Sequence, residues 1–595
     1  MKQFLESKYI PNYFLYAIFF IAITFRLYGV NWDQNQHLHP DERFLTMVTE
    51  RLQWPRSLGQ YFSPSASPLN PYNVGFNFFV YGTLPQNIVK FFSGFIVFDK
   101  YPYNNIALVG RLISAVFDLG IVFLVLKIGE KVFNKKVGLL ASFIYASSVL
   151  PIQLSHFFAV DTFLVFFITF AFYFFILYLN SKNKIFAALS GVFLGFAIAS
   201  KISAVLFLPV AVLGFLLSII KEVKFDKPSR YQDVLQILPD LFLFLLFCYI
   251  SLRVGDPRAF SNSNFLNPSL NPLFVQNLKQ LESFSNPNAL FPPAVQWIKT
   301  KPIIFPLKNI VLWGLGLPLG ILTLAGVIYS SCSIGLVLVK NIKKALFNLN
   351  NLTTRNSCYL LILFWILLVF FYEGIQVAKT MRYFYPIYPF LALLTANFIY
   401  QVGTVLNKKY KLQTTFFYCS VVLLLLIWPV SFLSIYSRPH SRVTASEWVY
   451  KNIQSGSTIS CELWDDCLPL SLGGKNSQTF YRTETLALFD PDSKEKWIKI
   501  DRQLEGVDYL ILSSNRLWGS IPRVPEKYPI TSKFYENLFT RKLQFIKVAE
   551  FTSYPTIPFL NIPIPDDLSE EAFTVYDHPK VYIFKKVPGS NLYKQ

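Results

Sequence analysis

Long apolar blocks alternate with short polar segments over the first 434 residues of this chain. Each block has about 16 to 22 residues, the length that a helix needs to cross about 30 Å of hydrocarbon. The pattern predicts about eleven spans. They are expected at residues 10–30, 106–126, 138–155, 162–179, 185–200, 202–220, 234–254, 309–339, 358–378, 384–402 and 414–434. The first block is long and lacks a small-residue cleavage site, so we expect a retained span rather than a signal peptide.

The polar segments divide the chain into a membrane domain, residues 1–434, and a C-terminal α/β domain, residues 435–595. Two loops of the membrane domain are long, 31–105 and 255–308, and their apolar pieces 91–98 and 289–298 are expected to lie flat at the membrane interface. In the C-terminal domain the pattern predicts helices at 442–453, 494–504 and 534–542 and strands at 457–463 and 507–512. Residues 573–586 are expected to form two strands that turn at Asp577-His578-Pro579.

The charge distribution argues for a membrane protein and against a nucleic-acid-binding one. Hydrophobic residues make up 53% of the chain and charged residues 15%, whereas about a quarter of the residues of a soluble domain are charged. The net charge is +20, but from Ile435 onward 20 Lys and Arg face 19 Asp and Glu, so the excess lies in the membrane domain. There it concentrates in alternate loops, which is typical of cytoplasmic loops. These residues are Lys127, Lys131, Lys135 and Lys136; Lys182 and Lys184; Lys221, Lys224, Lys227 and Arg230; Lys340, Lys343, Lys344 and Arg355; and Lys408, Lys409 and Lys411.

With Lys2 and Lys8, this sidedness predicts a multi-pass protein of the plasma membrane whose N-terminus is cytoplasmic. An odd number of spans then places the C-terminal domain on the extracytoplasmic face. Cys461 and Cys467 lie in that domain, where an oxidising compartment would permit a disulfide. A zinc site is the competing interpretation, but no second Cys pair or nearby His supplies the other ligands.

The adjacent acids Asp41 and Glu42 follow the first span and have two interpretations. His39-Pro40-Asp41-Glu42 resembles the start of a helix, where acidic residues suit the helix dipole. Carboxylates beside a membrane exit also suggest chemistry at the bilayer surface. The residues alone leave both interpretations open.

Further ionisable groups recur at span ends on the same membrane face as this pair. They are Arg111, His156, Asp161, Lys201, Lys379 and Arg382. Any one of them could extend to water at a span end, but a set that contains both acids and bases favours a shared polar cavity. Asp118 lies seven residues after Arg111, on nearly the same helical face, and is expected to be its structural partner.

Several features occur in a family-like order. They are the short first span, the Asp41-Glu42 pair, Gly110-Arg111 at the start of the second span, residues 156–161 before the fourth, and Arg382-Tyr383-Phe384-Tyr385-Pro386-Ile387-Tyr388-Pro389. This order resembles glycosyltransferase family 39 of the GT-C superfamily, which includes the protein O-mannosyltransferases and the bacterial lipid A aminoarabinose transferases. The resemblance covers residues 1–434. The tail, through Ser446-Glu447-Trp448, Glu462-Leu463-Trp464-Asp465-Asp466 and residues 573–579, resembles that of bacterial members and lacks the β-trefoil of the eukaryotic ones, which puts a protein acceptor in doubt.

The resemblance implies a mainly α GT-C helical bundle and a sugar donor carried on a polyprenyl phosphate. The acceptor would be a hydroxyl of a lipid, glycan or protein outside the membrane, and one displacement at the anomeric carbon would invert its configuration. We expect Asp41 to be the general base, with Glu42 orienting it and Asp161 positioning the acceptor. Nothing in the spacing requires a cofactor, although Glu42 and Asp161 could hold a divalent metal.

Cationic and aromatic residues at the same span ends are expected to bind the donor. Arg111 and Arg382 suit the lipid phosphate because a guanidinium pairs with two phosphate oxygens. Lys201 is a weaker third candidate. His156 and Tyr383 are also expected to contact substrate, with Tyr383 and Tyr385 stacking on sugar or isoprenoid.

Two other functions fit a polytopic chain. A transporter or lipid flippase also needs many spans and buried charges, but transporters commonly show internal repeats and charges near the bilayer midplane. A transferase that moves a preassembled glycan to asparagine would be expected to carry a Trp-Trp-Asp type motif in its external domain. Trp464-Asp465-Asp466 is a poor match to it.

Overall fold

The computed structural model describes residues 12–222, 230–284, 286, 292–343, 353–409 and 413–587. The expectations for Lys2, Lys8, Lys224, Lys227, Lys344 and Lys411, and for residues 289–291 of the second long loop, lie outside these ranges.

The membrane domain is a bundle of apolar helices. Among the described residues, eight helices are long and apolar enough to cross a membrane, and a bent pair could form a ninth span. Together with two shorter apolar helices, Tyr13–Leu27 and Lys184–Ile198, they account for every expected span. The helices are Asn12–Leu27, Pro102–Val132, Lys135–Ala146, Val149–Ser155, Val160–Ser181, Lys184–Ile198, Leu208–Glu222, Arg230–Gly255, Leu317–Lys343, Thr354–Ile375, Tyr388–Lys409 and Gln413–Leu433.

Two of the expected spans are interrupted. The helices Lys135–Ala146 and Val149–Ser155 meet at a bend of 59°. The span expected at 309–339 is a short helix, Ile304–Asn309, a π-helical turn, Ile310–Gly314, and then Leu317–Lys343. The break falls at Gly316, whose φ of +82° and whose contact with Trp428, 2.4 Å from an added Cβ, exclude other residues.

The long loops fold into short helices over one end of the bundle. The first contains Pro40–Arg51, Leu58–Phe62 and Leu84–Ser93, and the second contains Pro272–Ser283. Phe91, Phe92, Phe95, Val97 and Phe98 are exposed, and their position at the membrane interface stays a prediction. The expectation for 289–298 is wrong where the chain is described: Val295 is buried in the core of the C-terminal domain rather than lying at the membrane surface.

The C-terminal domain contains a five-stranded mixed sheet in the order β2-β1-β3-β7-β4. The strands are β1 (Thr458–Glu462), β2 (Arg482–Leu486), β3 (Tyr509–Leu512), β4 (Phe545–Phe551) and β7 (Val581–Lys586). The first three are parallel, and β7 pairs antiparallel to β3 and β4. The short strands β5 (Thr556–Ile557) and β6 (Ile562–Pro563) form a separate hairpin. The helices are Ser441–Asn452, Ser477–Phe480, Lys494–Gly506, Pro529–Phe539 and Glu571–Thr574.

One expected hairpin is wrong. Residues 573–586 contain only one strand, β7, which is preceded by the helical turn Glu571–Thr574. The alternating apolar residues Phe573 and Tyr576 pack against the membrane domain instead of pairing in the sheet. Cys461 and Cys467 are joined in a disulfide, with their Cα atoms 5.0 Å apart.

Candidate active site

Asp41 and Glu42 begin the helix Pro40–Arg51, so the helix-start interpretation is correct. Pro40 occupies the first turn, and His39 caps the helix by accepting the Glu42 N–H at its Nδ1, 3.2 Å away. The cap explains the helix start but not the roles of the two acids, because their side chains have different surroundings. The Glu42 side chain is fully buried, whereas the Asp41 side chain is 27% exposed.

The Glu42 carboxylate binds Arg111 and the backbone N–H of Phe158, which lies just before the fourth span. Its Oε2 accepts the Phe158 N–H at 2.8 Å and Arg111 Nε at 3.0 Å. Arg111 also donates to both carboxylate oxygens of Asp33, at 3.0 and 2.8 Å, and to the Val30 carbonyl at 3.0 Å. The second Nη2 hydrogen donates to Glu42 Oε1 at 2.5 Å, so all five N–H donors of the guanidinium are used. Arg111 is 1% exposed.

The expectation that Arg111 binds phosphate is therefore wrong: the guanidinium has no donor left. Asp118 is not its partner either. Asp118 accepts hydrogen bonds from Arg26, Tyr145 and Tyr385 in the interior of the bundle. This contact also removes Tyr385 from the candidates for sugar or isoprenoid stacking.

Asp41 is paired with Arg382, which lies at the start of a span in the turn Met381–Ile387. The Arg382 side chain is 20% exposed. Burial alone would raise the pKa of Asp41, but the charge of Arg382, helped by His39 and Lys201, lowers that pKa to about 2. Asp41 is therefore an anion while this pair is intact.

Asp161 and Lys201 form a second ion pair, with the Lys201 Nζ 2.7 Å from Asp161 Oδ1. Burial disfavours the ammonium, but Asp161 raises the pKa of Lys201 above its ordinary value. The two pairs meet at Tyr383: Lys201 lies 4.7 Å and Arg382 5.8 Å from the centre of its ring. Four of the expected residues and Tyr383 thus form one cluster of alternating charge.

The backbone beside this cluster is held by close contacts that the sequence did not reveal. The Gly82 N–H donates to the Ser200 carbonyl at 3.1 Å, next to Lys201. A Cβ on Gly82 would lie 1.8 Å from the Ala199 carbonyl oxygen, so only glycine fits. Arg258 of the second long loop donates to the Tyr81 carbonyl at 2.7 Å. Tyr81 thereby borders the cluster, and burial, followed by the charge of Asp41, raises the pKa of its phenol well above 10.

The C-terminal domain closes another side of the cluster. The Tyr576 ring packs on His39, with ring centres 4.3 Å apart. Glu570 accepts hydrogen bonds from Thr380 Oγ1 at 2.7 Å and from the Met381 N–H at 2.9 Å, next to Arg382. A cavity of about 20 Å³ lies among these groups, enough for about one water molecule.

Other expected residues lie outside the cluster. Both ring nitrogens of His156 lie within hydrogen-bonding distance of backbone carbonyls, of Ile152 at 2.8 Å and of Tyr28 at 3.0 Å, and the buried ring stacks on Tyr436. His156 is therefore a packing residue, and its expected substrate contact is wrong. Lys379 donates to Thr300 Oγ1 at 2.9 Å.

Glu42 and Asp161 are not brought together as metal ligands. Glu42 is bound to Arg111 and Asp161 to Lys201. Across the described ranges there is no group of three or more His, Cys, Asp and Glu residues suited to a metal ion.

Comparison with known proteins finds a family model that matches part of the chain and solved structures of similar fold. Residues 103–246 match the sequence model of the family described as dolichyl-phosphate-mannose-protein mannosyltransferase. The oligosaccharyltransferase of Archaeoglobus fulgidus, solved with a tethered acceptor peptide, matches with a TM-score of 0.50 at 14% identity, over 95% of this chain and 76% of that one. ArnT of Cupriavidus metallidurans, solved with undecaprenyl phosphate, matches with a TM-score of 0.42 at 12% identity, over 97% of this chain and 99% of that one.

No curated protein sequence matches the chain. The family match covers the second to sixth predicted spans and part of the seventh, and it includes Arg111, Asp161 and Lys201. Taken with the helical bundle and its C-terminal sheet domain, these matches show a multi-pass membrane protein whose fold is similar to that of the archaeal oligosaccharyltransferase and whose residues 103–246 are similar to the mannosyltransferase family.

Proposed function

We propose that the protein transfers a sugar from a polyprenyl-phosphate donor to a hydroxyl acceptor on the extracytoplasmic face, with inversion and with Asp41 as general base. The observation that carries the proposal is the cluster in which Asp41–Arg382 and Asp161–Lys201 meet at Tyr383. The matched family's description, which names a lipid phosphate sugar as donor, supports this class of donor.

The location of the cluster favours transfer over transport. Asp161 lies in the first turn of Val160–Ser181, Lys201 precedes Ile202–Ile219, and Arg382 is near the start of Met381–Lys408. A donor with an isoprenoid tail stays in the bilayer, so its phosphate emerges where spans end. Transporters instead tend to place charges near the midplane.

Arg382 and Lys201 are the groups that would bind the donor phosphate. Each already holds a carboxylate, and a phosphate presents the same kind of anionic oxygens with more charge. In this mechanism the phosphate replaces Asp41 on Arg382. Asp41 then loses the cation that keeps its pKa at about 2, so its pKa rises and it becomes a better base.

The chemical step follows from this exchange. Asp41 takes the proton of the acceptor hydroxyl as the acceptor oxygen bonds to the anomeric carbon. The bond from that carbon to the phosphate oxygen breaks on the opposite face, which inverts the configuration. Arg382 and Lys201 stabilise the charge that develops on the departing phosphate. Asp161 is left to orient the acceptor.

The test is turnover of a panel of polyprenyl-phosphate sugars by purified full-length protein, read as release of polyprenyl phosphate. Loss of a general base typically lowers the rate by about 10²- to 10⁴-fold. The turnover rate of Asp41→Asn should therefore be at least about 10²-fold below that of the wild type. Glu50→Gln is the matched control, because Glu50 is an exposed acid on the same helix, and it should turn over as wild type does. Equal rates for Asp41→Asn and wild type on an accepted donor would exclude Asp41 as the base.

A further inference from the structure

The hairpin of β5 and β6 presents an uncharged apolar tip to the outside. Residues 551–565 contain no Asp, Glu, Lys or Arg. At the tip, Phe559 is fully exposed, Leu560 is 65% exposed and Ile562 is 50% exposed. Soluble surfaces carry single exposed apolar side chains, but a contiguous group of this kind typically marks an interaction surface.

The turn does not account for the aromatic ring at its tip. Phe559 has a φ of +64° and Asn561 a φ of +52°. Asparagine tolerates this left-handed conformation, whereas a bulky residue rarely adopts it. Glycine would form the turn with less strain. The ring is thus retained in an unfavourable conformation while contributing nothing to the core of the domain.

The base of the hairpin lies at the end of the last span. The Thr556 N–H donates to Ser434 Oγ at 2.9 Å, directly after the helix Gln413–Leu433. β5 also packs against that helix itself. Trp428, five residues before the helix ends, packs beside Trp313, with ring centres 6.0 Å apart. Tryptophan at a span end is typical of the membrane interface.

Polar contacts hold the base of the hairpin, and its tip carries exposed apolar side chains. Arg438 Nη2 donates to the Tyr554 carbonyl at 2.5 Å, and the Tyr554 hydroxyl donates to Asp567 Oδ2 at 2.7 Å. The Ile564 N–H closes the hairpin on the Pro555 carbonyl at 2.7 Å. Charged groups at the base and apolar groups at the tip match the transition from headgroups to acyl chains.

We infer that the hairpin tip, residues 558–562, inserts into the bilayer interface and gives the C-terminal domain a membrane contact besides its link to the last span. The occupant of the tip is phospholipid, because the hairpin starts at the level where a span leaves the membrane and carries no charge to hold it in water. This anchor is independent of the transfer chemistry. It would hold the domain in place over the Asp41–Arg382 cluster.

The test uses photo-crosslinking from the tip. Phe559 is replaced by p-benzoylphenylalanine in the full-length protein, which is placed in nanodiscs of phosphatidylethanolamine and phosphatidylglycerol, irradiated and examined by mass spectrometry. The control carries the same amino acid at Ile498, which is 59% exposed on the helix Lys494–Gly506 of the same domain. The replacement keeps an aromatic ring, and an unchanged melting temperature verifies the fold.

We expect lipid adducts at position 559 at least tenfold more abundant than at position 498. Equal adduct levels at the two positions would overturn the inference. Adducts from position 559 to a second copy of the chain, in place of lipid, would also overturn it. Neither outcome depends on sugar transfer, so a failure here is distinguishable from a failure of the proposed function.

Discussion

Asp41 and Glu42 are neighbours in sequence with different roles because a helix separates adjacent side chains by about 100°. The Glu42 side chain points to the buried Arg111, and the Asp41 side chain points to Arg382 at the edge of the cluster. Glu42 therefore fixes the helix start, while Asp41 is available for the chemistry proposed above. Because the two acids are adjacent in sequence, a single site for both was expected. The helix directs their side chains to two different sites.

Arg111 and Arg382 should respond differently to the same substitution. Arg111→Gln leaves Asp33 and Glu42 buried without a cation, which typically costs about 3–5 kcal/mol of stability. Arg382→Gln removes a pair whose side chains are 20% and 27% exposed, so its cost should be smaller, while the KM for the donor should rise. Thermal unfolding in detergent and donor kinetics measure the two effects. A wild-type melting temperature for Arg111→Gln would contradict the assignment.

The cluster shows how far single residues can be assigned from sequence. Asp161, Lys201 and Arg382 could be predicted because each stands at a span end, and Asp41 because it lies in the loop that follows the first span. The partner of Asp118 could not be predicted from the sequence. Helical spacing tells on which face of its own helix a residue lies, but not which residue of another helix packs against that face. Here that neighbour is Arg26 of the first span. Tyr81 could not be found either, since its place depends on the contact of Gly82 with Ala199.

The segment after the helix Glu571–Thr574 attaches the C-terminal domain to the bundle. His578 lies between Asp577, 2.5 Å from its Nδ1, and Asp566, 2.8 Å from its Nε2. Asp577 also accepts from Gln153 at 3.0 Å and from the Tyr436 hydroxyl at 2.9 Å. Burial opposes the imidazolium, but the two carboxylates raise the pKa of His578 to about 10.

This attachment should weaken as the pH rises. Its stabilisation is fully present below about pH 6.5, the pKa of an unfolded histidine. Above that pH the unfolded chain loses the proton that the folded chain keeps until about pH 10. Stability should therefore fall by up to about 1.4 kcal/mol per pH unit between these values. Melting temperatures from pH 6 to pH 10 measure the slope, and His578→Gln should flatten it. A slope unchanged in His578→Gln would contradict this role.

The same segment shows why some elements could not be predicted. Alternation of apolar residues in 573–586 favoured two strands. The first half of this segment instead packs against the membrane helices, which bury its apolar side chains without any pairing in the sheet. β4 was missed because it is an edge strand with Lys547 and Glu550 exposed, so its alternation is weak. The spans were predicted well because hydrocarbon thickness alone sets their length.

An ion-pair network fixes the C-terminal domain over the cluster. Buried Arg442 binds Asp465 at 2.6 Å and Asp466 at 2.8 Å, and Asp466 reaches Arg43, two residues after Asp41, at 2.8 Å. The disulfide Cys461–Cys467 closes the loop that carries both acids. The acidic loop therefore joins the domain to the helix of the proposed base.

Two arginines of this network offer a matched comparison. Arg442→Met leaves Asp465, which is 1% exposed, without its cation, and should cost about 3–5 kcal/mol of local stability. Arg43→Met removes a pair at a side chain that is 39% exposed and should cost about 0–1 kcal/mol. Hydrogen exchange of residues 458–466 should accelerate strongly in the first variant and little in the second. Equal exchange in both would contradict the network's role.

In the proposed mechanism the donor phosphate takes Arg382 from Asp41 and so releases the base. An experimental structure of the full-length protein with polyprenyl phosphate tests it most directly. We predict that Arg382 and Lys201 contact the phosphate and that the Asp41 carboxylate is free to face the acceptor side. A phosphate bound elsewhere, with both the Asp41–Arg382 and Asp161–Lys201 pairs intact, would contradict the account.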